Sequence, residues 1–227
     1  MARANHEVEP IPDSDLALAR RTVGTGETAS IGDADADTLL YVASGTGTVS
    51  LGDSSALAAR SAALVPGGEQ AAVTALDALD LVVLTVGSGA ERHAPMGARA
   101  LTTSLDDASA QHATGARSFQ ILFDASNGST RATLFAGFVP PGKAPWHYHL
   151  YDEIVWIPDG PGRVHVGGGS EELGPGSAFR LRPREVHIVE NTNADRDLTI
   201  IGLFTPAGSP SAAYLTPEVA AEYRFVG

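Results

Sequence analysis

The sequence predicts an all-β protein made of two similar antiparallel barrels in tandem, closed by a short C-terminal helix. Two observations lead there. From about Thr22 the chain becomes a succession of short apolar runs broken by glycine and aspartate: TLLYVAS (38–44), GTVSLG (47–52), SAALVPGG (61–68) and LDLVVLTVG (79–87). The pattern resumes at Phe119 with FQILFD, TRATLFAGFVP, EIVWIPDG, GRVHVGG, GSAFRLRP, HIVENT and DLTIIGLFT. Runs of this length and spacing belong to sandwiches and barrels. The second observation is an internal repeat. Thr38–Gly52 aligns with Glu153–Gly167, and the glycine pairs Gly45/Gly160, Gly47/Gly162 and Gly52/Gly167 coincide. LVPGGEQ (64–70) then aligns with LRPREVH (181–187), and DLVVLTV (80–86) with DLTIIGL (197–203), after a two-residue change of offset.

Taken in order, residues 1–20 are expected to be an arm, since Pro10 and Pro12 block a helix. Residues 21–92 form the first barrel. Residues 93–118 lack sustained periodicity and read as a linker. Residues 119–227 form the second barrel, and the tail TPEVAAEYRF (216–225) has a Thr N-cap, a proline at the first helical position and an acid next, which predicts the helix.

Composition bounds the function. A chain of 227 residues with 43% apolar content can bury a sizeable core. The net charge of −12, with no basic block, argues against nucleic acid or an anionic membrane as partner. With no cysteine, neither disulfides nor thiolate chemistry are available. The acidic N-terminus has no apolar core of a secretory signal, and no apolar run approaches the roughly 20 residues of a membrane span. A cytoplasmic protein is the expectation.

The chemistry concentrates in Gly142–Gly160, GKAPWHYHLYDEIVWIPDG, which carries His147, His149 and Glu153 in the pattern H-x-H-x3-E. On a strand, residues two apart share a face, and Glu153 keeps the parity of the two histidines. On a helix the two histidines would diverge by roughly 200°. Gly176–Asn191, GSAFRLRPREVHIVEN, supplies His187. Three imidazoles and a carboxylate suit one divalent transition metal: Fe, Mn or Ni with open positions, or Zn. At the corresponding places of the first repeat stand Gly32, Ala34, Thr38 and Gln70, of which only Gln70 can ligate. Of the fourteen Phe, Tyr and Trp, only Tyr41 precedes residue 119. The first repeat therefore reads as scaffold and the second as the working half.

These residues resemble the two motifs of the cupin superfamily, G-x5-H-x-H-x3/4-E-x6-G and G-x5-P-x-G-x2-H-x3-N. His147, His149, Glu153 and Gly160 fit the first; Gly176, His187 and Asn191 fit the second. Gly142 lies one position closer to His147 than the motif asks, and Arg182 and Arg184 stand where it has Pro and Gly. The resemblance implies a bicupin, two double-stranded β-helix (jelly-roll) barrels, with its metal on His147, His149, Glu153 and His187 of the C-terminal one. It also implies a metal-dependent enzyme acting on a small organic substrate, with dioxygenases of the quercetinase and diketone-cleaving kinds nearest in shell. The alternatives are a non-redox cupin isomerase, cyclase, lyase or hydrolase, or a non-catalytic metal or small-ligand binding protein.

Around that shell, Trp146, Phe179, Arg182, Arg184 and Phe204 are the candidate substrate contacts, the arginines because their forks suit carboxylate or phenolate groups. Leu181 and Val189 are further candidates for an apolar wall. Tyr148 and Trp156 have the opposite parity to the ligands and read as packing or dimer-contact residues, so a homodimer is compatible with the sequence. His165 reads as strand-exposed. Asp152 and Glu185 are of the right type for acid–base work, but the sequence assigns no catalytic acid or base.

Overall fold

The computed structural model describes residues 11–113 and 116–217, and these form twenty-one strands. The helix expected at 216–225 lies outside the described residues from 218 onward. By their contacts the residues fall into two compact units. Residues up to Ser109, with Ile121–Leu134 and Leu203–Gly208, make the first; Ala110–Gln120, Phe135–Gly202 and the residues from Ser209 make the second.

The first nine strands are β1 (Leu16–Val23), β2 (Thr28–Ile31), β3 (Asp37–Ser44), β4 (Thr46–Leu51), β5 (Asp53–Ala58), β6 (Ser61–Val65), β7 (Ala71–Ala75), β8 (Leu79–Val86) and β9 (Thr102–Ser104). They pair in two antiparallel sheets, ordered β1-β8-β3-β6-β9 and β2-β7-β4-β5. The apolar runs read from the sequence lie in β3, β4, β6 and β8. Leu16–Arg20, expected in the arm, form the first part of β1, and the linker carries β9. The core is aliphatic, with Leu40, Val42, Val49, Leu57, Val73 and Leu81 fully or nearly fully buried.

The remaining strands are β10 (Gln111–His112), β11 (Ser118–Phe123), β12 (Thr133–Val139), β13 (Gly142–Lys143), β14 (His147–His149), β15 (Asp152–Trp156), β16 (Gly162–Val166), β17 (Gly169–Leu173), β18 (Ala178–Leu181), β19 (His187–Asn191), β20 (Leu198–Thr205) and β21 (Ala213–Leu215). Their sheets run β10-β11-β12-β20-β15-β18 and β17-β16-β19-β14-β21, with β13 also on β19. The strands β12-β20-β15-β18 follow the order of β1-β8-β3-β6, and β17-β16-β19-β14 the order of β5-β4-β7-β2. The sequence repeat is thus a repeat of strand order. A second apolar cluster, including Val155, Ile157, Val164, Leu181, Val189 and Leu198, fills this part.

The coincident glycines have a packing reason. A Cβ on Gly47 would lie 2.3 Å from the Thr74 carbonyl oxygen and 2.8 Å from Leu79 Cδ1. On Gly162 it would lie 2.6 Å from Leu198 Cδ2 and 3.0 Å from the Glu190 carbonyl oxygen. At Gly47 a backbone oxygen forbids a side chain, and at Gly162 the Leu198 side chain crowds the same place. No helix among the described residues is long and apolar enough to cross a membrane.

Gly47→Ala and Gly162→Ala are each expected to destabilise the protein by about 1–3 kcal/mol through overpacking, with the larger drop in urea midpoint at Gly47, where the obstacle is backbone. A neutral result at either position would contradict the close approach.

Candidate metal centre

β14 sets His147 and His149 on one face, where both are buried, and turns the intervening Tyr148 the other way to stack on Tyr214 with ring centroids 5.4 Å apart. β19 pairs antiparallel with β14 and brings His187 directly opposite His147. The ring centroids of His147 and His187 lie 4.5 Å apart, and those of His149 and His187 4.9 Å. Glu153, from β15 in the facing sheet, places Oε2 3.0 Å from His149 Nε2. All four side chains are at most 5% exposed.

Each imidazole is oriented by its own chain. Nδ1 of His147 donates to the Pro145 carbonyl, that of His149 to the Tyr151 carbonyl, and that of His187 to the Glu185 carbonyl, all at 2.8 Å. A carbonyl oxygen only accepts, so each Nδ1 carries a proton and Nε2 is the nitrogen left to ligate. Burial, then the charges of Arg117 and His187, pushes the His147 pKa down to about 2. Burial is also the main cause that brings His187 down to about 4, only partly offset by its bond to the Glu185 carbonyl. Both rings are therefore neutral at physiological pH.

The donors fit a divalent ion. His149 Nε2 is buried and makes no hydrogen bond, although the Glu153 carboxylate lies 3.0 Å away. A buried imidazole nitrogen and a carboxylate oxygen at this separation are donor types that a divalent ion takes. As the side chains stand, no three His, Asp or Glu among the described residues are drawn to ion-holding spacing, so the fit is one of donor type, orientation and burial. At the equivalent places of the first repeat, Ala34 and Gln70 are exposed, and Gln70 accepts from the Ser30 hydroxyl at 2.9 Å.

The four side chains open onto a cavity of about 70 Å³. Its other walls are mostly apolar, with Phe119, Phe135, Phe138, Val155, Leu181 and Val189 among them, and Arg117 and Tyr151 supply polar groups. The Tyr151 ring stacks on His149 at 3.9 Å, and burial, then Glu153, raises its phenol above the ordinary value, keeping it protonated. Arg117 Nη1 lies 3.3 Å from His147 Nε2. Sequence reading placed Arg117 in the linker and missed it, because no periodic pattern marks that segment.

The five candidate substrate contacts do not line this cavity. Trp146 is 39% exposed and meets His165 edge-on. Phe179 packs against the apolar cluster opposite Val155. Arg182 and Arg184 are exposed. Arg184 adopts a left-handed φ of 65° where the motif has glycine, and its N–H donates to the His149 carbonyl at 2.7 Å, so its backbone, not its fork, serves the site. Phe204 is fully buried and groups with the first unit. Leu181 and Val189 do line the cavity. His165 is half-buried and bonds the Glu190 carboxylate at 2.7 Å, not strand-exposed. Asn191, at the end of the second motif, is buried and donates to the Val139 and Arg196 carbonyls at 2.8 and 2.7 Å, a structural tie.

With this geometry in place, comparison with known proteins is informative. Residues 135–204 match the cupin domain family. All four clustered side chains lie inside that range. In three dimensions the chain is similar to a mutant of Bacillus subtilis oxalate decarboxylase (TM-score 0.73, 14% identity, covering 89% of this chain and 71% of that one). It is also similar to AerE from Microcystis aeruginosa (0.71, 12%, 87% and 91%) and to protein Ylba from E. coli (0.70, 12%, 88% and 81%). At these identities the likeness is one of fold. No curated protein matches the chain in sequence.

The Glu153 carboxylate also depends on a glycine. A Cβ on Gly202 of β20 would lie 2.3 Å from Phe135 Cε1 and 2.8 Å from Glu153 Oε1. Gly202→Ala is expected to displace both and to cost about 1–3 kcal/mol. Thermal unfolding measures the cost; an unchanged transition would mean that the two side chains have room to spare.

Proposed function

We propose that the chain is a metal-dependent bicupin enzyme whose second barrel (residues 119–227) binds one divalent transition ion on His147, His149, Glu153 and His187, together with a small organic substrate. The first barrel (21–92) serves as scaffold. The observation that carries this reading is the set of three buried imidazoles with committed Nδ1 atoms, one of whose Nε2 atoms lies 3.0 Å from the Glu153 carboxylate. Bacillus subtilis oxalate decarboxylase, which shares the fold, has Mn(II) centres, and this supports Mn among Fe, Mn, Ni and Zn.

When bound, such an ion polarises substrate oxygens and lowers the pKa of bound water. The chain's own residues do the rest. The carbonyls of Pro145, Tyr151 and Glu185 hold the rings in their ligating tautomer. The phenylalanines and aliphatic side chains give the cavity mostly apolar walls. Tyr151, protonated, stacks its ring on His149 and lines the cavity.

The cavity volume bears on the reaction. About 70 Å³ is well below the roughly 300–1,000 Å³ of sites for drug-sized ligands. A volume of this size suits a molecule of few heavy atoms. Oxygen-dependent cleavage of such a molecule and redox-neutral chemistry on it differ in oxygen uptake, and the latter is the second reading because the small cavity suits it equally.

The test loads purified protein anaerobically with each metal in turn. Bound metal is then measured by elemental analysis, and oxygen uptake with small acids and diketones. His147→Ala and His187→Ala are expected to lose the metal with the fold retained, a larger loss than the roughly 10–100-fold that follows removal of a ligand's hydrogen-bond partner. Gln70→Ala is expected to keep it. Metal retained by both histidine variants, or lost from Gln70→Ala, would contradict the assignment.

A further inference from the structure

We infer that the outer face of the β17-β16-β19-β14-β21 sheet docks a second copy of this chain across a twofold axis. The inner face of that sheet carries the clustered histidines and packs on the apolar cluster of its own unit. The outer face carries aromatic and aliphatic side chains. Tyr148 of β14 lies opposite Tyr214 of β21 and stacks on it, Trp146 and Leu150 flank β14, and Val186 immediately precedes β19. Trp146 is 39% exposed, Val186 41%, Tyr214 48% and Leu150 50%. These are four of the six large hydrophobic side chains exposed among the described residues, so the apolar surface is gathered on one face and not scattered.

The first repeat shows that the fold does not ask for this. Its corresponding strands β4, β7 and β2 turn small residues away from their core, in the cross-strand rows Thr28–Thr74–Thr48 and Ser30–Ala72–Ser50. Thr28 and Thr74 join hydroxyls at 2.8 Å. The same layer of the barrel is therefore built once in threonine and serine and once in tyrosine and tryptophan. Buried interface centres are enriched in those aromatic residues. Trp156, the other residue read from the sequence as a packing or dimer contact, is 3% exposed and takes no part.

Charge points to a second copy as the occupant. The chain carries −12, so copies repel over most of their surface. On this face the acids are matched: Arg163 pairs with Glu172 and lies 4.0 Å from Glu190, which also takes His165 at 2.7 Å. Glu172 gives only Oε1 to Arg163, and its side chain is 69% exposed. Beyond the opposite end of β14, Arg184 is exposed and pairs with no acid among the described residues; its N–H reaches the His149 carbonyl. A twofold axis through the Tyr148–Tyr214 pair turns one copy end for end. It lays rings on rings and brings Arg184 of each copy toward Glu172 of the other. An isologous contact requires this kind of self-complementarity.

The test is sedimentation equilibrium of the full chain over a range of concentrations. The wild type is expected to form a dimer that dissociates on dilution. Tyr214→Asp should weaken association roughly 30-fold or more, as loss of an interface anchor does. Ala72→Asp, on the matching face of the first repeat, should leave it unchanged. Arg184→Glu and Glu172→Arg should each weaken it, and the two together in one chain should restore it, because the exchanged charges meet across the axis. All these positions are exposed, and thermal unfolding checks that each variant is folded. A monomeric wild type overturns the inference. So does a dimer indifferent to Tyr214→Asp, one weakened equally by Ala72→Asp, or a charge exchange that recovers nothing. A monomer that dimerises once residues 218–227 are removed overturns it too, because the chain's own end would then be the occupant.

Discussion

The site depends on three hydrogen bonds that leave the histidines no choice of tautomer. In each case the accepting carbonyl is two residues away along the same chain: Pro145 for His147, Tyr151 for His149 and Glu185 for His187. The geometry that places the ring is thus written into the local path of the backbone. Three imidazoles and a carboxylate are buried close together, where unpaired polar atoms are costly. A protein stabilised by burial alone would not gather them. The backbone carbonyls on each Nδ1 and the closeness of Glu153 to His149 offset part of that cost.

The two repeats make the same point by contrast. The order of their strands is the same, and at the equivalent glycines Gly47 and Gly162 a side chain would be crowded. Fold retention therefore requires neither histidine nor glutamate. In the first repeat the corresponding places hold Gly32, Ala34, Thr38 and Gln70, and an aliphatic core fills the interior. In the second, four polar groups are buried at the stability cost that the first avoids.

The strands and the pair His147 and His149 were legible in the sequence because both follow from parity, whereas Glu153 reaches them from β15 in the other sheet. Other features were not. Whether a side chain near the site reaches the cavity depends on turns and curvature, which parity does not contain. Arg184 sits in a left-handed turn that sends its side chain outward, and Trp146 swings onto His165. Arg117 was missed for the converse reason. A two-residue strand and an aperiodic segment carry it to His147, and only the pairing of β10 with β11 reveals the approach. The first part of β1 was read as an arm because prolines precede it, although its own residues pair along the whole of β8.

The most direct test of the central claim is anomalous diffraction from crystals of the metal-loaded protein, recorded above and below the absorption edge of the ion supplied. The account predicts a single strong peak in the second repeat, within bonding distance of His147 Nε2, His149 Nε2, His187 Nε2 and the Glu153 carboxylate. A peak confined to surface carboxylates, or none at fully occupied loading conditions, would contradict it.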